Sequence, residues 1–558
     1  MATRPSSAAP LGFVFALALT APATAASLGG PNWSGVPHSN IDPQIAAGPN
    51  RVLIALYDHI YYYDKSGRPI THVDDNPGKP TLVSYLEELF DPIRADADAN
   101  LALPPGTTCD RTHRDEPSYV RQAKGPDRTV SNYCLDRFGY DARVLYDEYR
   151  ERFVVVAAAI NTGAKCKFNP GESNYFARRN KILVAYSATS DPTDGTGWHL
   201  KWFDAVPGES CRTQTCRDEA GYLPGTASDY PVAAVVKDYL LVSINNQAHE
   251  KLDGDTCPPC TGAKCDPEKY GYEDDFFPLP STVHVWSTKG LASGRFDEKT
   301  CDGLCSWVYH NGDIRGAANL PVTGSPTLAQ GHGEPHLGSA FFADKSGTDG
   351  LNIWRFSITG GKERPPLVRQ RVELPSFVPI IEYPNAYGSG THAPLLVNGT
   401  TALVQRGSHL FYADVGTAPQ SFAAGIRLVG LQGNVLGLFT LGRHAIFGEP
   451  GQGYGSPALE VTAENEMILA YRKVGERAAA GFGARYLVWK SGTSTAPGGH
   501  TLADDEFDLP CPDKECKAQG DHDTAGIALA PHGRVYVMQP YLDKRTRDWA
   551  YAVNYVVP

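Results

Sequence analysis

One short pattern recurs along the whole chain: a polar residue, often followed by proline, and then a short apolar segment of strand-like composition. The seven occurrences are IDPQIAA at Asp42, GYDARVLY at Asp141, SDYPVAAV at Asp229, HGEPHLGS at Glu334, THAPLLVN at His392, YGSPALEV at Ser456 and HDTAGIAL at Asp523. Further strand-like segments such as RFVVVAAAI and DYLLVSI follow the pattern. Repetition of short antiparallel meanders is typical of a β-propeller. The chain is therefore predicted to be all-β, a seven-bladed β-propeller, with six or eight blades as alternatives.

The first repeat shows how turn residues alternate with short apolar segments. Gly48-Pro49-Asn50 and the tip Asp64-Lys65-Ser66-Gly67 have turn composition, because glycine permits positive φ and the short polar side chains bond to nearby backbone. Val52 to Leu56 and Ile60 to Tyr63 lie between them and have no helical spacing. They are predicted to be antiparallel strands of a tight meander.

Long insertions separate the repeats in the N-terminal half of the chain. The repeat starts are 88 to 105 residues apart there, against 58 to 67 in the C-terminal half. The excess falls in polar segments that are predicted to be loops, around 66–140, 161–180, 206–227, 250–280 and 295–320. One stretch, Thr81 to Phe90, has helical spacing and is predicted to be a surface helix.

Residues 1–26 have the composition of a secretory signal peptide. An apolar run from Leu11 to Leu19 follows Arg4, and small residues follow the run. Residues 27–558 are then predicted to form a single β-propeller domain in a secreted or periplasmic protein, without a membrane helix.

Twelve cysteines, an even number, accompany this signal. Ten of them lie between Cys109 and Cys305, within the predicted loops. In an oxidising compartment they are predicted to form disulfides, which hold long loops in place at a gain of ~2–4 kcal/mol each. Cys257-Pro-Pro-Cys260 with Cys265 permits a zinc site as the alternative.

The net charge of −11 is the main sequence observation on partners. Nucleic acids and anionic membranes both attract a basic face. Neither is therefore predicted as a partner, and the protein is predicted to be a monomer.

The polar residues that open the repeats are the candidate binding residues. In a propeller the first strand of each blade lines the axial channel, so these residues are predicted to converge at one channel end. Asp42, Asp141, Asp229, Glu334 and Asp523 would contribute five carboxylates, with His392 and Ser456 completing the ring. Such carboxylates can bind Ca²⁺, cationic groups or sugar hydroxyls, or act as an acid and base pair on a glycosidic bond. The alternative is that each one only caps its own turn.

A second candidate constellation is His332-Gly-Glu-Pro-His336. In an extended segment, residues two apart share a face, so both imidazoles and Glu334 would lie on one side. Gly333 and Pro335 exclude the helical zinc motif. Metal binding or acid–base catalysis is weighed here against a hydrogen-bonded turn.

Several motifs resemble a family of secreted bacterial β-propellers of the sialidase-like, BNR-repeat type. They are DPQIAAGPNRV with YDKSG, RVLYDEYRERFVV, SATSDPTDGTGWHL, SDYPVAAVVKDYLLVS, SPALEVTAENEMILAYR and DWAYAV. The segment from Ser190 to Trp198 is similar to a degenerate sialidase Asp-box, with a different Asp–Gly spacing. The resemblance implies the propeller fold and assigns no catalytic residue.

The function expected from these observations is binding or cleavage of an extracellular carbohydrate at the channel mouth, by a glycoside hydrolase or polysaccharide lyase. The candidate catalytic residues are Asp229, Glu334 and His336. The candidate substrate-binding residues are Asp42, Asp141, His392, Asp523 and His332. No cofactor is required, and Ca²⁺ is a candidate ligand. The alternative is a non-catalytic envelope, adhesion or ligand-binding propeller.

Overall fold

The structure is a computed structural model. It describes residues 27–28, 43–56, 59–70, 83–100, 137–160, 180–193, 196–205, 226–249, 276–278, 281–295, 306–309, 313–315, 326–359, 363–377, 402–417, 424–448, 452–475, 482–493, 500–503, 526–543 and 548–557.

Strands make up most of these residues. In chain order they are β1 (Ser27–Leu28), β2 (Gln44–Ala47), β3 (Arg51–Leu56), β4 (His59–Asp64), β5 (Val83–Tyr85), β6 (Arg137–Asp147), β7 (Arg152–Ile160), β8 (Lys181–Ser187), β9 (Trp198–Asp204), β10 (Thr226–Val236), β11 (Tyr239–His249), β12 (Phe276–Pro278), β13 (Thr282–Ser287), β14 (Trp307–Tyr309), β15 (Thr327–His332), β16 (Ser339–Ser346), β17 (Gly350–Ser357), β18 (Val368–Glu373), β19 (Ala402–Arg406), β20 (His409–Thr417), β21 (Ala424–Gly433), β22 (Phe439–Phe447), β23 (Gln452–Val461), β24 (Met467–Gly475), β25 (Phe482–Trp489), β26 (His500–Ala503), β27 (Gly526–Leu529), β28 (Val535–Asp543) and β29 (Asp548–Val557).

The described strands form seven four-stranded antiparallel groups, here called sheets 1 to 7. Sheet 1 is β2 to β5, sheet 2 is β6 to β9, and sheet 3 is β10, β11, β13 and β14, with β12 beside β11. Sheets 4, 5 and 6 are β15 to β18, β19 to β22 and β23 to β26. Sheet 7 is β27, β28 and β29, and the N-terminal strand β1 completes it by pairing with β29. The two ends of the chain therefore share a sheet.

The first strands of the seven groups contact one another in a closed series. β2 contacts β6, and the series continues through β10, β15, β19, β23 and β27, which contacts β2 again. Between sheets 4 and 5 the contact is close enough for parallel pairing, which joins Ala329 to Leu403 and His332 to Arg406. A series that returns to its first member is a ring, and sheets arranged radially around an inner ring of strands are the architecture of a β-propeller.

The apolar core is divided into clusters that lie between consecutive sheets. Val155 and Ala157 of sheet 2 pack with residues of sheet 1, whereas Val154 and Val156 pack with sheet 3. A further cluster joins sheet 7 to sheet 1. Because both faces of each sheet are covered, the central strands are near-continuous apolar runs such as RFVVVAAAI.

Two α-helices lie among the described residues. Helix α1 (Leu86–Asn100) packs on β6 and β9, and its Leu86, Leu89 and Phe90 side chains are buried between sheets 1 and 2. Helix α2 (Thr288–Ala292) is a single short turn after β13. Neither helix is long and apolar enough to cross a membrane. The predicted helix over Thr81 to Phe90 therefore exists, but it begins at Leu86, because Val83–Tyr85 pairs with β4.

The all-β prediction is confirmed, and so are the two strands predicted in the first repeat. All twelve cysteines lie outside the described residues, so the disulfides remain a prediction. Outside them too lie the predicted signal peptide and most of the predicted insertions.

Candidate functional site

The innermost strands give the ring two distinct ends. Consecutive first strands of a propeller run in the same direction, so all of them begin at one end, here called the start end, and finish at the other, the finish end. β15 and β19 show this directly, because they are parallel. Predicted site residues can thus be assigned to an end by their position in these strands.

At the start end, three innermost strands contain the same irregularity. The pairing with the second strand shifts between Tyr140 and Arg143 in β6, between Asp229 and Val232 in β10, and between Gly455 and Ala458 in β23. These are β-bulges, which bend a strand and redirect side chains, and they are over-represented beside active sites.

Each bulge contains one non-glycine residue with a positive φ: 52° for Asp141, 54° for Tyr230 and 48° for Ser456. The left-handed region costs an ordinary residue ~1–3 kcal/mol and persists only where the surroundings enforce it. Recurrence of this conformation at one position of three sheets makes it a feature of the repeat. It also corrects the register of the predicted ring, because Tyr230, and not Asp229, is the counterpart of Asp141.

A buried arginine holds two of the bulges together. The Nε of Arg143 donates to the carbonyl oxygen of Pro231 at 2.8 Å. Its guanidinium carbon lies 4.2 Å from the centre of the Tyr230 ring. Arg143 and Asp141 are both buried. Sheets 2 and 3 therefore meet at the start end through a cation–π contact and a charge-assisted hydrogen bond.

The other residues predicted for this end are only partly covered by the structure. Asp229 lies in β10, where its backbone pairs with Asn245, but its side chain lies outside the described residues. Asp42, His392 and Asp523 also lie outside them. The convergence of the ring thus stays a prediction for these four residues, which are three of the carboxylates and His392.

Glu334 was predicted to open a repeat, and this is wrong. The innermost strand of sheet 4 is Thr327–His332, and Glu334 lies in the turn that follows it, at the finish end. Gly333, with φ of +67°, and Pro335 begin a turn into β16 here and do not precede an innermost strand. The Glu334 side chain is exposed and pairs with Nζ of Lys237 at 2.8 Å.

The segment from His332 to His336 is a turn, so of the two alternatives the extended one, in which His332, Glu334 and His336 share one side, does not apply. His332 is buried, whereas the Nε2 of His336 donates to the carbonyl oxygen of Asn434 at 2.9 Å in sheet 5. The three side chains thus have separate partners.

His332 instead belongs to a largely buried cluster that the sequence did not predict. Its Nδ1 lies 3.1 Å from Oε2 of Glu148, and its Nε2 lies 2.9 Å from Oε2 of Glu460. Glu148 follows β6 in sheet 2, and Glu460 is near the end of β23 in sheet 6. Neither sheet is next to sheet 4, so these bonds must cross the interior of the ring. We call Glu148, His332 and Glu460 the axial bridge.

Further bonds fix the axial bridge at the finish end. Oε1 of Glu148 accepts from the backbone N–H of Gly333 at 2.7 Å, and the Tyr149 hydroxyl donates to the carbonyl oxygen of Gly333 at 2.6 Å. The Nε of Arg406 donates to the carbonyl oxygen of Val461 at 3.1 Å. The carboxylates and the imidazole are therefore held by residues of sheets 2, 4, 5 and 6.

The bridge is an ion triad at neutral pH. Burial alone would lower the pKa of His332, but the charges of Glu460 and Glu148 and the hydrogen bonds to them raise it to about 9. Burial would raise the pKa of Glu148, yet the hydrogen bond and charge of His332, the N–H of Gly333 and the charge of Arg406 hold it below its usual range. An imidazolium with both N–H groups engaged is a poor general acid or base near pH 7. The arrangement therefore favours a structural role for the triad over a catalytic one.

Two signals in the sequence mark the bridge, although neither locates it. Glu460 is a carboxylate within the apolar strand SPALEV, and a buried charge requires a partner. Glu148 lies in the turn of LYDEYRE between two strands. No group of three or more His, Cys, Asp or Glu side chains among the described residues has an arrangement that could hold a metal ion.

Comparisons with known proteins give low similarities. No protein-family model matches the chain, and no curated protein matches it. Among solved structures, a protein of unknown function from Dyadobacter fermentans has a TM-score of 0.34 at 12% identity, covering 75% of this chain and 94% of its own. A Penicillium chrysogenum α-L-arabinanase complexed with arabinobiose has a TM-score of 0.30 at 11% identity, covering 56% and 74%. A Trypanosoma rangeli sialidase mutant with trans-sialidase activity has a TM-score of 0.31 at 10% identity, covering 76% and 55%. At such scores and identities, nothing about the activity of this chain follows from the likeness.

Proposed function

We propose that the seven sheets are the blades of one exported propeller, which binds or cleaves an extracellular carbohydrate at the start end of its channel. The supporting observation is the difference between the two ends. The axial bridge occupies the interior at the finish end with a hydrogen-bonded ion triad, in which His332 and Glu460 are buried and Glu148 is partly exposed. The start end is thus the better candidate for ligand access.

The strained bulges support the same end. Backbone strain clusters at ligand sites, and Tyr230 is a bulky residue for which a positive φ is unusual. Asp141, Arg143 and Tyr230 supply a carboxylate, a guanidinium and a phenol ring within two adjacent sheets. Such groups hydrogen-bond sugar hydroxyls and stack on sugar faces, and one carboxylate of a pair can act as acid or base on a glycosidic bond.

Within this proposal Asp229 and Asp141 are the carboxylates to test, together with Asp42 and Asp523 if these also reach the channel. Glu334 and His336 lie at the finish end and are not part of the proposed mouth. Ca²⁺ remains a proposed ligand of the start-end carboxylates, since mutual repulsion of such groups is relieved by a cation. Cleavage by a hydrolase or lyase and binding without cleavage are both consistent with these residues.

The experiment is a screen of the purified exported protein against a polysaccharide panel. Reducing ends report hydrolysis, absorbance of 4,5-unsaturated products reports lyase activity, and calorimetry reports binding alone. Once a glycan is found, Asp141→Asn and Asp229→Asn should each lower activity or affinity at least about tenfold, the loss expected when a hydrogen bond to a charged group is removed.

Glu334→Gln is the matched control, because it changes an exposed carboxylate at the finish end. It should leave binding and turnover unchanged. If Glu334→Gln abolishes activity and the two aspartate variants do not, the wrong end has been proposed.

A further inference from the structure

Exposed aliphatic side chains are concentrated at one place on the finish end. Seven large hydrophobic side chains are exposed among the described residues, and five of them meet there. These five are Leu337, Val368, Val435, Leu436 and Leu438. They come from the β15–β16 turn, the start of β18 and the β21–β22 hairpin. Leu337 lies against Gly437 of the hairpin. Val368 pairs with Arg355, whose side chain reaches Leu436, so the three segments lie side by side. We call this apolar surface the aliphatic tip.

The most exposed residues are at the end of the hairpin. Val435 is 86% exposed and Leu436 is 68% exposed. Solitary apolar residues on a surface are common, but a contiguous group is typical of an interaction site.

The hairpin is held in place by its own hydrogen bonds. Oδ1 of Asn434 accepts from the N–H groups of Leu436 at 2.9 Å and Leu438 at 3.1 Å, and its carbonyl oxygen accepts from Gly437 N–H at 2.9 Å. The backbone polar groups of the turn are thus satisfied internally. The aliphatic side chains are left to project outward.

Neighbouring sheet 4 fixes the hairpin from outside. His336 donates to Asn434, and Gln370 exchanges two bonds with the backbone of Phe439, at 2.6 and 2.7 Å. Nη1 of Arg355 donates to the carbonyl oxygen of Leu436 at 2.9 Å. The projection of the tip is therefore built into the contact between sheets 4 and 5.

The charge around the aliphatic tip differs from that of the chain as a whole. Arg355 bonds to a carbonyl oxygen here, and no carboxylate among the described residues forms an ion pair with it. Arg369, next to Val368 at the start of β18, donates elsewhere, to the carbonyl oxygen of Arg315 at 3.0 Å. The chain has a net charge of −11, yet the guanidinium group of Arg355 lies beside this apolar surface. A complementary partner would combine an apolar interior with an anionic surface.

We propose that the aliphatic tip docks on an anionic lipid surface, with Val435 and Leu436 among the acyl chains and Arg355 at the level of the headgroups. The projecting shape favours a lipid layer over a peptide, because a peptide ligand requires a groove or a free strand edge. Burial of aliphatic side chains and attraction of arginine to anionic headgroups are the two contributions to interfacial binding. The net charge of the whole chain argues against a membrane partner, but docking of the aliphatic tip depends on the charge beside the tip.

The test is co-sedimentation of the purified exported protein with vesicles of phosphatidylglycerol and phosphatidylcholine, compared with vesicles of phosphatidylcholine alone. Binding should be reversible, stronger to the anionic vesicles and weaker at high salt. The double variant Val435→Ser/Leu436→Ser should lower the partition coefficient at least about tenfold, because two exposed aliphatic groups no longer enter the lipid.

Val557→Ser is the matched control, since Val557 is an exposed aliphatic residue outside the tip. It should bind like the wild type, and both variants should melt like the wild type. The proposal is overturned if the wild type sediments with neither vesicle, binds both kinds equally, or is unaffected by the double substitution. It is also overturned if the wild type is a dimer in solution that the double variant dissociates, because the occupant is then a second copy.

Discussion

His332 and Glu460 are hydrogen-bonded at 2.9 Å, although they belong to sheets 4 and 6, which are not neighbours in the ring. Glu148 of sheet 2 bonds the other nitrogen of the same imidazole. Three alternate sheets are thus connected through one side chain. Neighbouring sheets are joined by apolar clusters that lie between them. This ionic connection instead crosses the space enclosed by the ring of innermost strands.

Replacement of His332 by alanine should destabilise the fold strongly. Glu460 is buried and would lose the cation that compensates it, a change that costs ~3–5 kcal/mol when one partner of a buried ion pair is removed. Glu460→Gln should cost less, because the amide oxygen still accepts from Nε2. Urea unfolding measures both, with exposed Glu334→Gln as the control, expected within ~0.5 kcal/mol of the wild type. A His332→Ala protein as stable as the control would show that the bridge contributes nothing.

The axial bridge also predicts how stability depends on pH. The pKa of His332 is raised from 6.5 to about 9 in the folded protein. The folded state therefore binds this proton more tightly than the unfolded state does, and the resulting stabilisation is fully present below pH 6.5 and lost as pH rises through 9. The shift corresponds to about 3 kcal/mol.

The measurement is the free energy of unfolding of the wild type minus that of His332→Asn, from pH 6 to pH 10. Subtraction removes the contributions of the lysine and tyrosine groups that titrate over the same range. The difference should shrink as pH rises. A difference that stays constant would mean that the imidazole is not charged in the folded protein.

The repeated strands were predictable from the sequence, whereas the axial bridge was not. Runs such as RFVVVAAAI and the turn at Asp64 to Gly67 are local signals, and they give strands and a hairpin where the structure has them. Glu148, His332 and Glu460 are more than a hundred residues apart, and only closure of the ring brings them together. The buried Glu460 in SPALEV indicates that a compensating polar or charged group lies nearby, but the local sequence does not identify that group.

The misplacement of Glu334 has a different cause. Gly333-Glu334-Pro335 has the same composition as the polar residue and proline that precede an innermost strand elsewhere, as at Ser456-Pro457. Turn residues favour both ends of a strand equally. The preceding Thr327–His332 contains glutamine and glycine, which weaken its strand signal, so the sequence did not reveal that the strand comes first.

Alanine substitutions at two glycines should show how much stability is lost to backbone strain alone and how much to steric crowding. Gly338 and Gly407 have φ of +57° and +52°, but an added Cβ would clash with Cγ2 of Thr359 at Gly338 and would meet nothing within 4 Å at Gly407. Gly407→Ala should cost only the strain, ~1–2 kcal/mol. Gly338→Ala should cost a further ~1–3 kcal/mol for overpacking. Denaturant unfolding of both variants tests this difference, and equal losses would mean that Thr359 moves away freely.

A buried ion pair in sheet 5 should be strongly coupled. Arg427 and Asp414 are almost fully buried, with Nε–Oδ1 at 2.9 Å and Nη2–Oδ2 at 2.7 Å, and Nη1 of Arg427 also donates to Pro375 at 2.8 Å. Asp414→Asn leaves the guanidinium without its counter-charge and should cost ~3–5 kcal/mol. Arg427→Met alone should cost less, because Nζ of Lys345 still lies 3.3 Å from Oδ2 of Asp414, and the two substitutions together should cost less than their sum. A double-mutant cycle by urea unfolding measures the coupling, and additive losses would contradict the prediction.

The cysteines should all be oxidised in the exported protein. They are even in number, and the apolar run of residues 1–26 predicts export into an oxidising compartment. Cys211 with Cys216 and Cys511 with Cys516 are close enough in sequence to pair locally. Titration of the denatured, unreduced protein with a thiol reagent should find almost no free thiol, and peptide mapping should recover these two pairs. Reduction before unfolding should lower the melting temperature, because closed loops restrict the unfolded chain. Several free thiols together with stoichiometric zinc would instead indicate a metal site at Cys257, Cys260 and Cys265.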